Sequence, residues 1–207
     1  EREMGQFTKM LKQAQQKIKG KLLIKNMQPK THTVATLAAH INQVEQIFDR
    51  PVDVIVIDSG DLLLPKFRLN EHRVNLESIY AELRGLAMAK KIRIINTTQA
   101  NRAGTTQDQL QLANTSEAYS KAWYCSLFLS ISANSEERQN KCGRITVLKN
   151  TKGKTDMVIF VKLDLAKMLI KDDLSMQPQT VTELKNGFKP VRKKENNNVD
   201  YNFYLEE

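Results

Sequence analysis

Long apolar runs and cysteine clusters are both missing from this 207-residue sequence. No apolar stretch approaches the ~20 residues that a helix needs to cross a bilayer, and no signal peptide is recognisable. The two cysteines, Cys125 in an apolar strand pattern and Cys142 in a polar loop, have neither metal-binding nor redox spacing. A reducing cytoplasm is therefore the simplest setting for the chain.

The nucleotide-binding pattern G-x-x-x-x-G-K-[ST] is missing as well. In proteins that carry it, the backbone N–H groups of this P-loop cradle phosphates ahead of a helix. The triplet G-K-T does occur, at Gly153–Thr155, but it lies between two late strand patterns and lacks the required upstream glycine. We therefore do not interpret it as a P-loop.

Composition and charge favour a compact domain with an anionic partner. Hydrophobic residues make up 41% and charged residues 27% of the chain, which is ordinary for a soluble α/β domain with a tail. The formal charge of +9, from 32 basic and 23 acidic residues, and the pI of about 9.5 indicate a polyanion, most commonly nucleic acid. The alternative is a solvated lysine face, which we expect for Lys189–Lys194.

The stretch Val52–Leu64 organises the predicted fold. Its first half is a β-branched apolar run, typical of a strand that is buried on both faces of a parallel sheet. The run stops at Asp58, and the carboxyl ends of such strands border the crevice where open α/β sheets bind ligands. The alternative is that Asp58 only caps a turn, because D-S-G-D is also good turn chemistry.

A second strand, Ile92–Gln99, ends in another polar residue. The intervening Leu76–Lys91 has helical periodicity, so strand, crossover helix and strand predict a right-handed parallel unit. Asp58 and Gln99 should then lie side by side on one rim of the sheet. The predicted apolar face of the helix comprises Leu76, Ile79, Tyr80, Leu83, Leu86 and Ala87.

The residues before this unit predict two helices and a short strand. One helix should run through residues 1–19 and end at Gly20, with Leu22–Ile24 as a strand and Thr31 or Thr33 capping the next helix. The expected apolar stripe of that second helix comprises Val34, Leu37, Ala38, Ile41, Val44, Ile47 and Phe48.

The residues after the unit predict a polar loop and an antiparallel edge. Ala100–Ser116 is a long polar segment of the functional or disordered kind. Trp123–Ser132 should be a strand that buries Leu127, Leu129 and Ile131, with Phe128 on its other face. Arg144–Leu148 and Met157–Leu163 should pair as a hairpin. The predicted fold class is α/β: a mostly parallel sheet flanked by helices with an antiparallel edge hairpin, in a core over 1–165 followed by a polar basic tail over 166–207.

The two strand regions together match a family. V-D-V-I-V-I-D-S-G-D-L-L-L, followed by A-E-L-R-G-L-A-M-A-K-K-I-R-I-I-N-T-T-Q-A-N-R, resembles the RecA-like ATPase domain of DnaB-type replicative hexameric helicases, bacterial or phage-encoded. The resemblance covers Glu1 to Leu163, and T-Q-A-N-R is its most specific part. It implies that Asp58 is the Walker B carboxylate that acts on Mg²⁺, that Gln99 senses the γ-phosphate, and that Arg102 relays or contacts phosphate.

The resemblance implies further site residues. Glu3, in a Glu-Met pair like the family's, would be the general base, although an ordinary surface glutamate is the alternative. K-N-T-K-G-K-T supplies Lys149 and Lys152 as candidates for the finger that reaches the adjacent subunit's nucleotide; Thr151 stands where arginine is usual. A hairpin tip made soluble by lysines is the alternative. The loop 103–117 would grip DNA phosphates, through the small residues Gly104, Asn114, Thr115 and Ser116.

The resulting hypothesis is an ATP- and Mg²⁺-dependent DNA helicase motor. It would form a ring, most simply a hexamer, translocate on single-stranded DNA during replication, and work with a primase or helicase loader in a bacterial or phage-infected cell. Because Glu3-Met4 follows the P-loop unit in the family, we expect the P-loop ahead of Glu1, with loss of the loop as the alternative. Two other functions stay open: a RecA-like recombinase or recombination mediator that binds single-stranded DNA, and a non-catalytic RecA-like assembly module.

Overall fold

The computed structural model describes residues 20–99, 116–173, 175, 176 and 178–185, together with Gly5 and Lys9. The chain divides into two compact units, residues 1–98 and residues 99–207. Of the helix predicted within residues 1–19, only Gly5 and Lys9 are described, and both are helical; the other residues lie outside the described part. Of the helices that are described, none has the length and apolarity required to span a membrane.

In the first unit, helix α1 spans Val34–Phe48. Thr33 caps it as predicted: the Thr33 hydroxyl accepts from the backbone N–H of Thr36, and the Thr36 side chain returns to the Thr33 backbone. The helix ends at Asp49, which has left-handed backbone angles. Ile47 was expected in the apolar stripe, but it is 70% exposed because it lies on the far side of the buried face. That buried face comprises Val34, Leu37, Ile41 and Val44.

The predicted strand, helix and strand are confirmed. β1 (Val54–Ile57) pairs in parallel with β2 (Arg93–Asn96), from Val54 opposite Arg93 to Ile57 opposite Asn96. A short 3-10 turn, Gly60–Leu62, follows β1 and leads towards helix α2. Helix α2 spans His72–Lys90, so it begins one turn earlier than its apolar pattern suggests. Its buried residues are Leu76, Ile79, Tyr80 and Leu83.

The expectation that the first strand is buried on both faces is wrong within this unit. Val54 is 44%, Val56 67% and Ile95 56% exposed, whereas the alternate residues of both strands are half-buried. Side chains alternate between the faces of a strand, so one face of this pair is covered and the other lacks a covering layer among the described residues of the unit. A β-branched run therefore identified the strand but not its burial.

The prediction of a strand at Leu22–Ile24 is also wrong. These residues have no assigned secondary structure, and Leu22 is 83% and Ile24 85% exposed. A three-residue apolar run forms a strand only where a partner strand offers backbone groups, and no described strand pairs with this one.

The second unit is built on an antiparallel sheet. Helix α3 (Ser116–Trp123) precedes strand β3 (Leu127–Ser132), and the short helix α4 (Ser135–Gln139) leads to β4 (Cys142–Asn150). β5 (Met157–Asp164), a 3-10 turn at Leu165–Lys167, β6 (Leu169–Asp172), β7 (Gln179–Thr180) and helix α5 (Val181–Lys185) complete it. The strand order is β3-β4-β5-β6, with β7 also pairing with β5.

The α/β class and the hairpin are confirmed, and the antiparallel part is larger than expected. β4 and β5 pair from Cys142 opposite Lys162 to Val147 opposite Met157. Among the described residues they belong to a sheet of five strands. Strands β6 and β7 were not predicted, because their sequences are too short and polar to show strand alternation. The predicted domain boundary at residue 165 stays a prediction.

The buried face of strand β3 is not the predicted one but the opposite face. Leu127, Leu129 and Ile131 are 51%, 45% and 58% exposed, whereas Ser130 is buried. The register places Ser130 opposite Thr146, which is 1% exposed and in turn faces the fully buried Val158. The inner strands β4 and β5 therefore decide which face of β3 is buried.

Candidate functional site

Asp58 directly follows β1, at the edge where the parallel pair ends. Its carboxylate is exposed, and Oδ1 accepts a hydrogen bond from Thr97 Oγ1 at 2.5 Å. The backbone N–H of Thr97 donates to the carbonyl of Ile57 at 3.1 Å, which extends the parallel pairing one residue beyond β2. Asp58 and the residues after β2 therefore share one rim, as the sequence predicts for parallel strands.

The exposed carboxylate of Asp58 can bind a cation that also has ligands from outside the protein. Among the described residues Asp58 accepts no side-chain hydrogen bond other than that of Thr97, and no cluster of three or more His, Cys, Asp or Glu side chains that could hold a metal is present there. Mg²⁺ is commonly held by one or two carboxylates together with water and phosphate oxygens, without a cage made only of protein. A single carboxylate can therefore hold Mg²⁺ only if water or a phosphate group supplies the remaining ligands.

Gln99 is the third residue after β2, and its side chain is exposed. The chain then enters residues 100–115, outside the described part, where Arg102, Gly104, Asn114 and Thr115 lie. Ser116 begins α3, but its side chain is not described, and Glu3 also lies outside the described residues. The roles of these residues stay predictions.

Sequence reasoning missed a polar network behind this rim. Asp61 lies in the 3-10 turn, Tyr80 on the buried face of α2, and Asn96 at the end of β2. Tyr80 Oη donates to Asp61 Oδ1 at 2.8 Å and accepts from Asn96 Nδ2 at 2.8 Å. Burial, and then the Asp61 charge, hold the pKa of Tyr80 well above its usual range, so the phenol stays protonated as a donor. The second acid of D-S-G-D was the only sequence signal for this network.

Gly60 permits the close approach of the turn to β2. Its backbone N–H donates to Asn96 Oδ1 at 2.6 Å. A Cβ atom at this position would lie 2.7 Å from Asn96 Oδ1 and 3.0 Å from Asn96 Nδ2. The glycine is therefore required by the packing of the loop against the Asn96 side chain.

In the second unit, the two candidate finger lysines differ in their surroundings. Lys149 Nζ donates to the carbonyls of Ala122, at 2.8 Å, and Trp123, at 3.1 Å, the last residues of α3. A cation at a helix C-terminus satisfies free carbonyls and complements the helix dipole. The exposed Lys152 lies in the turn between β4 and β5, and no described residue bonds its ammonium group.

The Gly153–Thr155 triplet lies in the same connection between two antiparallel strands. No helix follows it: the next element is β5, which begins at Met157. A P-loop connects a strand to a helix, so Gly153–Thr155 is not a P-loop, as we expected from the sequence.

The fold is shared with two solved structures of other proteins. The chain is similar to a solved structure described as an ATPase domain, with 12% identity and a TM-score of 0.61, over 68% of this chain and 51% of that one. It is also similar to one described as "The Structure Of A DnaB-Like Replicative Helicase And Its Interactions With Primase", with 12% identity and a TM-score of 0.57, over 65% and 34% of the two chains. The chain thus spans about half or less of either structure. No protein-family profile and no curated protein sequence matches it.

Proposed function

We propose that this chain is part of the motor domain of a ring-forming DNA helicase that uses ATP and Mg²⁺ to move along single-stranded DNA during replication. One observation carries the proposal: the exposed carboxylate of Asp58 stands at the end of β1, bonded to Thr97 beyond β2, in a fold shared with replicative helicase ATPase domains. Because Asp58 is exposed, its carboxylate can bind a metal–phosphate group without the burial of another charged side chain.

The candidate site residues take the following parts in the proposal. Asp58 holds Mg²⁺ directly or through water, and bound Mg²⁺ neutralises charge that develops on the transferring phosphoryl group. Gln99 senses the γ-phosphate, Arg102 relays or contacts phosphate, and Glu3 orients the attacking water. The segment 103–117, whose last two residues belong to α3, holds single-stranded DNA in this proposal, with backbone N–H groups at its small residues contacting phosphates.

The finger that acts on the neighbouring subunit's nucleotide is Lys152 in this proposal. Lys149 already donates to two carbonyls of α3, so moving it to a phosphate would leave the end of that helix without its cation. Lys152 can approach an anion without breaking a bond to any described residue. Cations at this place stabilise charge developing in phosphoryl transfer.

The partners follow from the same assignment. Nucleotide bound between subunits requires a head-to-tail assembly, and we propose that this assembly closes as a ring, most simply a hexamer. One of the similar structures is described with primase, and a primase or helicase loader in the cytoplasm is the partner we propose here.

The test is ATP turnover by the full-length protein with Mg²⁺ and single-stranded DNA. Asp58→Asn should abolish turnover while keeping the fold and weak DNA binding, because the amide cannot supply the anionic ligand. Asp53→Asn is the matched control: Asp53 is an exposed acid just before β1 whose carboxylate pairs with Arg50 at 3.2 Å, and the substitution should leave turnover unchanged. Equal turnover in wild type and Asp58→Asn would remove Asp58 from the site.

Two further measurements separate the rival functions. Strand displacement on a forked duplex is expected of a helicase and absent in a recombinase or recombination mediator. Failure of the full-length protein to bind ATP would favour the non-catalytic assembly module instead.

A further inference from the structure

A closed circuit of hydrogen bonds joins the loop after β1 to α2 and β2. Asp61 accepts from Tyr80, Tyr80 accepts from Asn96, and Asn96 accepts from the backbone N–H of Gly60. The circuit thus returns to the residue beside Asp61. Loop, helix and strand are held by one set of bonds, so displacing any member strains the others.

A further bond ties this circuit to the chain that leads into Gln99. Thr98 Oγ1 donates to Asp61 Oδ2 at 2.6 Å, so both carboxylate oxygens of Asp61 accept hydrogen bonds. Thr98 directly precedes Gln99. Hydrogen bonds to a charged acceptor are short and about twice as strong as those between neutral groups.

The opposite side of the turn is held by Lys30. Its backbone N–H donates to the Leu62 carbonyl at 2.8 Å, and its ammonium group donates to the backbone carbonyl of Asp61 at 2.5 Å. Tyr80 is only 9% exposed, so water competes little for its bond to Asp61. The turn is therefore fixed from two sides, whereas Asp58 at its start is exposed.

We propose that Asp61 is a positioning residue of the ATPase site, fixing the loop that carries Asp58 relative to the strand end that leads into Gln99. The inference rests on the proposed function, because Asp58 and Gln99 have catalytic roles only there. Asp61 acts through Tyr80 and Thr98, which donate hydrogen bonds to its two carboxylate oxygens. The circuit thus couples the position of the loop after β1 to the position of the end of β2.

The test compares Thr98→Val with Thr98→Ser. Valine has the same shape but lacks the hydroxyl that bonds Asp61, whereas serine keeps it. Since misplacement by about 1 Å can cost up to about 100-fold in rate, we expect Thr98→Val to lower kcat by about tenfold or more without raising KM for ATP. Thr98→Ser should restore kcat. Thr31→Val removes a hydroxyl bond of similar length, 2.7 Å to the Gln28 carbonyl, and should match wild type.

A second measurement reports on the loop without requiring turnover. Hydrogen exchange of the Gly60 amide should be faster in Thr98→Val than in Thr98→Ser, because the loop loses a tie to the end of β2. Tyr80→Phe should give the same faster exchange and lower kcat, whereas Tyr124→Phe, at a half-buried tyrosine with no described hydrogen bond of its hydroxyl, should do neither.

Three results would overturn the inference: equal kcat in the valine and serine variants, a loss confined to KM, or unchanged exchange in both Thr98→Val and Tyr80→Phe. Failure of the proposed function looks different. A wild-type protein without turnover, or full turnover in Asp58→Asn, overturns the ATPase site and with it the catalytic meaning of Asp61. The exchange data still decide separately whether the circuit fixes the loop.

Discussion

The rim after β1 and β2 and the turn between β4 and β5 carry charges of opposite sign in the same arrangement, with one charged residue bonded to the protein and one exposed. At the rim, Asp61 accepts hydrogen bonds from Tyr80 and Thr98, whereas the nearby Asp58 is exposed. At the turn, Lys149 is bonded to the end of α3, and the nearby Lys152 is exposed. Each region therefore pairs one charge that organises the protein with another that is accessible to a ligand. Sequence proximity alone does not distinguish the two kinds.

The largest effect predicted for the turn tests this distinction. Lys152→Met in the full-length protein should lower ATP turnover by about 100-fold, the cost of losing one group that stabilises the transition state. Its free energy of unfolding should change by no more than about 0.5 kcal/mol, because the side chain is exposed and makes no described contact. Enzyme assays and urea unfolding measure the two quantities.

Lys149→Met should show the reverse pattern. Loss of a charged donor at the end of α3 should lower the free energy of unfolding by about 1–2 kcal/mol. Any loss of turnover should be smaller than in Lys152→Met. Lys162→Met, at an exposed lysine of β5, is the control for removing a positive charge and should change neither quantity. A larger loss of turnover in Lys149→Met than in Lys152→Met would exchange the two assignments.

The next prediction concerns the packing of Gly60 against Asn96 at the rim. Gly60→Ala places a Cβ atom 2.7 Å from Asn96 Oδ1, and Asn96 cannot move without releasing Tyr80 and the Gly60 N–H. We expect the free energy of unfolding to fall by about 1–3 kcal/mol, as for overpacked sites. Urea unfolding of the purified chain measures this loss.

Gly85→Ala is the control for the same chemical change. Gly85 lies within α2, and nothing is within 4 Å of its ideal Cβ position. Alanine should raise the free energy of unfolding there by about 0.5–1 kcal/mol through helix propensity. Equal effects at the two glycines would contradict the close packing of Gly60 against Asn96.

The sequence predicted those parts of the fold that depend on local periodicity. Both long helices, the Thr33 cap, the parallel pairing and the β4–β5 hairpin follow from apolar spacing and short connections. The burial of strand faces does not, as Val56 and Leu129 show, because the same apolar residue is buried or exposed according to the layer that covers it. The sequence of a strand does not show which of its faces another layer covers.

The candidate site was predictable only where a single strand end defines it. Asp58 followed from its position after an apolar run. The partners of Asp61 come from the next helix and strand, and Lys149 reaches carbonyls 26 and 27 residues away. Contacts between polar side chains so distant in the chain leave no local pattern, so the network and the capping lysine became visible only in the folded chain.

The smallest predicted effect concerns a charge pair that organises the first unit away from the rim. Lys90 of α2 donates to Glu45 of α1 at 2.6 Å. This bond, and then the bond from the Val52 N–H, hold the pKa of Glu45 below its usual value of 4.5. A carboxylate with a lowered pKa in the folded state stabilises the protein above its unfolded pKa, and this contribution disappears as the pH falls through the folded value.

Glu45→Gln should therefore reduce the loss of stability on acidification. We expect its urea midpoint to fall less than that of wild type as the pH is lowered below 4.5, with only a small difference at neutral pH because the pair is partly exposed. Lys90→Met removes the main cause of the lowered pKa and should weaken the acid dependence in the same direction. The double variant should resemble either single variant. Additive effects of the two substitutions would mean that the residues stabilise the unit independently, and the pair would then not be an organising charge of the kind seen in Asp61 and Lys149.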